Sequence, residues 1–410
     1  MDFRTFDPEA AAILAAEEAR QRDTLMMIPS ENYASPMITA AQATVFGNKY
    51  AEGMPSARYY NGCANMDAIE NLAIARAKQL FGAQHANVQP LSGAQMNMAV
   101  YLALLSPGDP VMALDLNQGG HLTHGSAVNF SGRLYRFVHY GVDPETEVLD
   151  LDRIADQARQ VRPKLIVTGA TAYPRRWDFA AWRRIADEVG AYLLADVSHI
   201  AGLIVGRVHP DPVPHCDVVT TTTQKTLRGP RSGLILCRAD LGARIDKAVF
   251  PGSQGGPHMH TIFAKAVAFK EAMGEGFRAV QQRTVDNARV LAAALTRRGL
   301  RLVSGGTDNH LMLVDLRPLG LTGRVAANLL EEAGIVVNKN TIPYDPKPPA
   351  VCSGIRLGTP ALSTRGMDAA EMEQVAGWID DVLRHPEDAG RRPHIAAEVR
   401  GLCARFPLPE

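Results

Sequence analysis

A single lysine, Lys225, follows the run Thr220, Thr221, Thr222 and Thr223, with Gln224 between them and Thr226 after it; Arg231 comes a little later. Upstream, Asp196 ends another strand-like run, Tyr192, Leu193, Leu194 and Ala195. Two successive strands ending together would deliver an amine and a carboxylate to one place. The amine can condense with an aldehyde, and a carboxylate beside a ring nitrogen keeps that nitrogen protonated, so the ring can accept electrons from a carbanion. That division of labour suits pyridoxal phosphate. A lone lysine after a strand is more often a solvated surface residue, because Lys is rarely buried, so other residues must carry the reading further.

Ser92, Gly93 and Ala94 open an apolar, helical stretch over residues 94–105. The first N–H groups of such a helix can face a phosphate with the helix dipole behind them. Ser92 also reads simply as an N-cap. His121 and His124, on one face if the segment is helical, could begin a zinc site, but no third ligand follows at a suitable spacing and no metal is expected. Arg356, in Ser353-Gly354-Ile355-Arg356, carries the planar fork that holds a carboxylate through two parallel hydrogen bonds.

The elements that must position these residues follow from periodicity. Apolar runs at 111–116, 165–168, 192–195, 218–222 and 234–237 read as buried strands. Phe179, Trp182, Ile185 and Val189 recur at helical spacing and Gly190 supplies a left-handed stop. Strand, helix, strand predicts an α/β chain with a mostly parallel sheet, whose ligands collect at the carboxyl ends of the strands. Past residue 280 the pattern changes to a helix with Val285, Ala288, Leu291 and Leu295 on one face, then Gly305-Gly306 and a strand at 311–314. The expected division is an N-terminal arm (1–20), a large domain (21–280) and a small C-terminal α/β domain (281–410).

Composition excludes several classes. Lys+Arg and Asp+Glu both number 43 in 410 residues, so no net charge draws the chain to nucleic acid or an anionic membrane. The hydrophobic content of 46% is ample for a two-domain core. Cys63, Cys216, Cys237, Cys352 and Cys403 are scattered and form no CxxC pair, which fits a reducing cytoplasm. The opening Met1-Asp2-Phe3-Arg4 lacks the apolar core of an export signal, so an unexported protein is expected.

Longer motifs run through nearly the whole chain: S-E-N-Y-A-S-P at 30–36, N-K-Y-A-E-G at 48–53, G-G-H-L-T-H-G-S at 119–126, T-L-R-G-P-R at 226–231, F-P-G-S-Q-G-G-P at 250–257 and S-G-I-R-L-G-T-P-A at 353–361. On these the chain resembles the serine hydroxymethyltransferase family of fold-type I pyridoxal phosphate enzymes. The resemblance implies that Lys225 carries the cofactor, Asp196 faces its ring nitrogen, His121 stacks on the ring with His199 supporting it from behind, and the Thr171 hydroxyl approaches the phenolic oxygen. It implies a phosphate site from Ser92, Gly93 and Ala94, completed by Gly255 and Gly256 of a neighbouring subunit. Tyr50 and Glu52 would reach the site across a homodimer interface. Glu52 would handle a proton, Tyr59 and Tyr60 would line the substrate region, and Arg356 would hold the amino acid carboxylate. Leu116, Gly120, Leu122 and Asn340 match positions facing the pterin of tetrahydrofolate. The expected reaction moves a hydroxymethyl unit between serine and tetrahydrofolate, giving glycine and methylenetetrahydrofolate.

Three residues depart from the family pattern. Gln224 and Gln118 stand where histidine is usual, and Ala94 where a second serine is usual. Glutamine exchanges hydrogen bonds but cannot become cationic near neutral pH. These departures admit a sister enzyme acting on another β-hydroxy amino acid, such as an α-methylserine hydroxymethyltransferase or a threonine transaldolase or aldolase. A non-catalytic scaffold of the same fold is the other alternative, disfavoured by the presence of both Lys225 and Arg356.

Overall fold

The computed structural model describes residues 3–409; Met1 and Asp2, which begin the expected arm and carry its early acid, and Glu410 lie outside the described residues. The large sheet has seven strands, β1 (His85–Asn87), β2 (Pro110–Leu114), β3 (Arg136–Tyr140), β4 (Leu165–Thr168), β5 (Tyr192–Asp196), β6 (Val218–Thr222) and β7 (Gly233–Cys237); the five apolar runs become β2 and β4 to β7, while β1 and β3 were not expected. They form one sheet in the order β1-β7-β6-β5-β4-β2-β3. Pairs from β3 through β6 are parallel, and β7 runs antiparallel to both its neighbours. Every residue of β4 and β6 is buried, as a sheet covered on both faces demands. β2 stops at Leu114, short of the expected 116, because Asp115 accepts a hydrogen bond from Asn117 N at 2.8 Å and turns the chain into a 3-10 segment, Leu116–Gln118.

Helix α1 (Gly93–Leu104) follows β1, and α2 (Phe179–Val189) links β4 to β5. Asp178 caps α2 by accepting from Ala181 N at 3.0 Å, and Gly190 ends it with φ 70°. Its inward face buries Phe179, Trp182 and Ile185; burying Phe179 or Ile185 stabilises the fold by about 1.5–3 kcal/mol each. α3 (Met259–Ala272) carries Lys265 into the interior, where Nζ donates to the carbonyls of Val88 and Gly233, both at 2.6 Å, and of Pro90 at 3.4 Å. A buried ammonium is tolerable only with such partners. The contacts tie α3 to the loop that leads into α1.

The boundary expected near residue 280 falls inside one unbroken helix, α4 (Glu275–Arg297). Phe277 and Val285 join the core of the large sheet, while Ala288, Leu291 and Leu295 join a second core. That second core is built on β8 (Arg301–Leu302), β9 (Leu311–Asp315), β10 (Asn338–Asn340) and β11 (Gly354–Gly358), antiparallel in the order β8-β9-β11-β10. Leu25–Met26 pairs with Ile335–Val336, and Leu25 and Met27 are buried in this second core. A stretch expected in the large domain therefore packs with the C-terminal body. No helix among the described residues is long and apolar enough to cross a membrane.

Candidate active site

β5 and β6 run side by side with Asp196 opposite Thr220. The strand end at Asp196 and the turn after β6 that carries Lys225 thereby meet at one edge of the sheet. Gly93, His121, Thr171, Asp196, His199 and Lys225 line a single pocket there. Residues far apart in sequence are brought together as the spacing of Asp196 and Lys225 predicts.

Asp196 is held by four donors. Ser198 N and Oγ reach Oδ1 at 3.2 and 2.6 Å, and Asn97 Nδ2 and His124 Nε2 reach Oδ2 at 2.8 and 3.2 Å. Burial alone would raise its pKa, but the hydrogen bond and charge of His124, helped by His121 and Ser198, hold the carboxyl well below the usual range. It stays anionic and fixed, which suits a partner for a protonated ring nitrogen. His121 and His124 lie on a hydrogen-bonded turn, His124 N to His121 O at 2.9 Å, instead of on a helix. One ligand atom each from His121, His124 and Asp196 fall within 4.8 Å of one another. The fold thus brings together a trio that spacing did not reveal, although Asp196 Oδ2 is already shared between Asn97 and His124.

Burial pushes the Lys225 ammonium down to about 8; Asp196 opposes the shift, and Arg356 and Arg231 add to it. A lysine so placed supplies free amine close to neutral pH, unlike an exposed one. His121 is neutral: burial, His124 and Lys225 lower it to about 4 against the pull of Asp196. Its Nδ1 lies 2.8 Å from Thr123 Oγ1, which fixes the plane of the ring.

Ser92 caps α1, with Oγ accepting from Gln95 N at 3.3 Å, so the cap reading holds. A Cβ on Gly93 would approach Thr222 Cγ2 to 2.8 Å, so this corner of the pocket admits no side chain. Thr222 Oγ1 and His199 Nε2 are buried without a partner among the described residues, and both residues line the pocket. Unsatisfied polar groups beside an amine, a carboxylate and a helix N-terminus fit a phosphorylated pyridine aldehyde. Ala94 is exposed on the first turn of α1 and does not line the pocket.

Arg356 comes from the other body, on β11, paired with Leu313 and Asn338. Its Nη1 donates to Thr171 O at 2.6 Å and its Nε to Asn338 Oδ1 at 3.2 Å. Burial lowers its pKa to about 10, with Glu31 opposing. No carboxylate among the described residues lies within ion-pair distance of it, so this buried guanidinium is available to an incoming one.

Tyr50, Glu52, Tyr60, Gly255 and Gly256 do not line this pocket. They form a separate group on the same chain: a Cβ on Gly255 would lie 3.1 Å from Glu52 Oε1, and one on Gly256 3.1 Å from the Tyr50 ring. Tyr50 and Tyr60 meet edge to face at 5.3 Å, and Tyr59 meets Phe250 at 5.5 Å. Tyr50, Tyr59 and Tyr60 are exposed. Leu116 and Leu122 are exposed as well. Gly120 is buried between them, and a Cβ there would strike Leu114 O at 2.2 Å. Asn340 Nδ2 donates to Thr341 O at 2.6 Å.

Two of the three departures have visible settings. Gln118 Oε1 accepts from Val142 N at 2.7 Å and so braces the loop after β3. Gln224 keeps Oε1 buried and unpartnered. Sequence reasoning missed Asn97, Ser198, Glu31 and His310. Asn97 is a polar residue on the buried face of an otherwise apolar helix, a signal that could have found it; Glu31 and His310 carried no such pattern.

A mostly parallel sheet with a lysine, an aspartate and a helix N-terminus converging beyond its strands defines a fold-type I pyridoxal phosphate enzyme. A family model described as serine hydroxymethyltransferase matches residues 3–379. A protein named serine hydroxymethyltransferase from Synechococcus sp. (strain JA-3-3Ab) is 59% identical, over 98% of this chain and 96% of its own length. Another of that name from Prochlorococcus marinus (strain MIT 9303) is 57% identical, over 98% of this chain and 95% of its own. The chain belongs to the serine hydroxymethyltransferase family.

Proposed function

We propose that the protein binds pyridoxal phosphate and transfers a hydroxymethyl unit between serine and tetrahydrofolate, giving glycine and methylenetetrahydrofolate. The observation that carries this reading is the meeting of Lys225 and Asp196 in one pocket, with the buried Arg356 hydrogen-bonded to Thr171 on its wall, in a chain 57–59% identical to proteins named for this activity. When bound through Lys225, the cofactor supplies an electron sink for charge released at a substrate carbon. Asp196 holds a proton at the ring nitrogen. His121 and Thr171 would hold the ring, with His199 beside them in the pocket, and the Ser92-Gly93-Ala94 turn would hold the phosphate.

Arg356 grips the substrate carboxylate and so decides which bond points at the ring. Glu52 moves the proton of the hydroxymethyl group, with Tyr60 beside it. Tyr50, Glu52, Gly255 and Gly256 cluster away from Lys225, which supports a homodimer in which each copy completes the other's site. Leu116, Gly120, Leu122 and Asn340 provide the folate-facing surface. We assign no metal to the site. Balanced charge and scattered thiols support a cytoplasmic protein without nucleic acid or membrane partners. The division into an arm (1–20), a large domain (21–280) and a small domain (281–410) is supported by two separate cores, with Leu25–Met26 lent to the small one.

The test is serine cleavage by purified, cofactor-loaded protein with and without tetrahydrofolate. Folate-dependent formation of glycine supports the reading. Turnover of α-methylserine or threonine in place of serine overturns it in favour of a sister enzyme.

A further inference from the structure

His199 and His310 face each other beside the pocket. Their rings stack at 5.6 Å with an interplanar angle of 25°, and His199 Nδ1 lies 3.4 Å from His310 Nε2. Both are buried, and the outer nitrogens, His199 Nε2 and His310 Nδ1, have no partner among the described residues. His199 lines the pocket and His310 does not. Only His199 can therefore turn its spare nitrogen to a ligand.

The groups facing the pair are Lys225 and Arg356 for both rings, His121 for His199 and His209 for His310. Burial first, then these neighbours, keep both imidazoles neutral, with one N–H each. Two arrangements satisfy the short contact. If His199 donates from Nδ1, His310 must bury an N–H at Nδ1 with no acceptor, and His199 shows the pocket a bare lone pair. If His310 donates from Nε2, its buried Nδ1 is only an unused acceptor, and His199 carries its proton on Nε2. Each arrangement leaves one buried N–H without a protein partner, on His310 Nδ1 in the first and on His199 Nε2 in the second, and only the second places that N–H where a ligand in the pocket can accept from it. The second arrangement also gives the pocket a donor, which an oxygen-rich anionic ligand needs.

We propose that His310 is a positioning residue that fixes His199 as its Nε2–H tautomer, so that the pocket offers a neutral donor to an anionic oxygen of the ligand held by Lys225 and Arg356. The inference rests on the function proposed above, because the ligand is what accepts from His199 Nε2. His310 is well anchored for the task. Its carbonyl accepts from Thr359 N at 3.1 Å, and the next residue, Leu311, pairs with Gly358 on the strand that carries Arg356.

The decisive measurement is a nitrogen–proton NMR correlation of imidazoles in ¹⁵N-histidine-labelled protein, loaded with pyridoxal phosphate, with His199 assigned through the His199→Asn variant. A protonated Nε2 and bare Nδ1 on His199 are expected; a protonated Nδ1, or both nitrogens protonated, overturns the proposal. His310→Phe keeps the ring packing and loses the donor, whereas His310→Gln retains an amide donor at the same reach. The Phe variant should shift the visible absorption of the bound cofactor and raise KM for serine roughly tenfold, the weight of one hydrogen bond, and Gln should restore both. Equal defects in the two variants would overturn the proposal. If neither folds, the wild-type spectrum still decides. An expected tautomer in a protein that fails to cleave serine would sink the functional reading alone.

Discussion

Asn97 joins two strands through one amide: its Nδ2 donates to Asp196 Oδ2 at 2.8 Å, and its Oδ1 accepts from Thr220 Oγ1 at 2.9 Å. The helix whose N-terminus we assign to the phosphate thus also fixes the carboxylate of Asp196. Asn97→Ala leaves Asp196 one donor short and Thr220 unpaired. The expected cost is about 1–3 kcal/mol in urea unfolding. Serine turnover should fall with it, and an unchanged rate would show that the clamp is structural only.

Lys225→Arg keeps the charge and removes the condensing amine. The variant should fold, show no visible absorption from a covalently held cofactor, and lose at least about a hundredfold in turnover. Retained absorption would move the attachment site elsewhere.

Uptake of the cofactor should depend on pH in a defined direction. The Lys225 pKa is lowered to about 8, so the folded protein sheds this proton before an ordinary lysine would. The rate of attachment to cofactor-free protein, followed by absorbance, should rise as pH climbs toward 8 and level off above it. Between about 8 and the ordinary lysine range the unfolded chain binds the extra proton, so this group's contribution to stability rises with pH there. A rate that kept climbing past pH 10 would place the lysine in water.

Arg356→Lys replaces a planar fork with a point charge. Loss of one charge-assisted hydrogen bond, worth roughly 1.5–3 kcal/mol, should raise KM for serine by about 10- to 150-fold, with a smaller change in kcat. Steady-state kinetics decide the matter, and an unaltered KM would exclude Arg356 as the carboxylate anchor.

Mixing inactive variants tests the shared site. Glu52→Gln and Lys225→Ala homodimers should each be inactive, but subunit exchange should restore about a quarter of the wild-type rate, because half of the dimers are mixed and each has one intact site. No recovery after verified exchange would place Glu52 in its own chain's pocket.

Much of the site was legible because its chemistry needs particular residue types at element ends: Lys225 and Asp196 fall where apolar runs stop, and Ser92 where an apolar helix begins. The burial of β4 and β6 was readable for the same reason. Interactions between distant segments were not. Nothing local indicates that Asn97 and His124 share one oxygen of Asp196, or that His310 stacks on His199, since each pair is created by strand order. The continuity of α4 across residue 280 was also hidden, because its face changes core without a change in helical period. Leu25–Met26 is too short for periodicity to register, and its pairing with Ile335–Val336 is purely tertiary.

The bond from Arg356 to the carbonyl of Thr171 is a stitch between two independently filled interiors. Whatever loosens the fit of one interior on the other, even far from any ligand, will slacken that stitch. Such changes should therefore surface as poorer capture of the amino acid well before either half begins to melt.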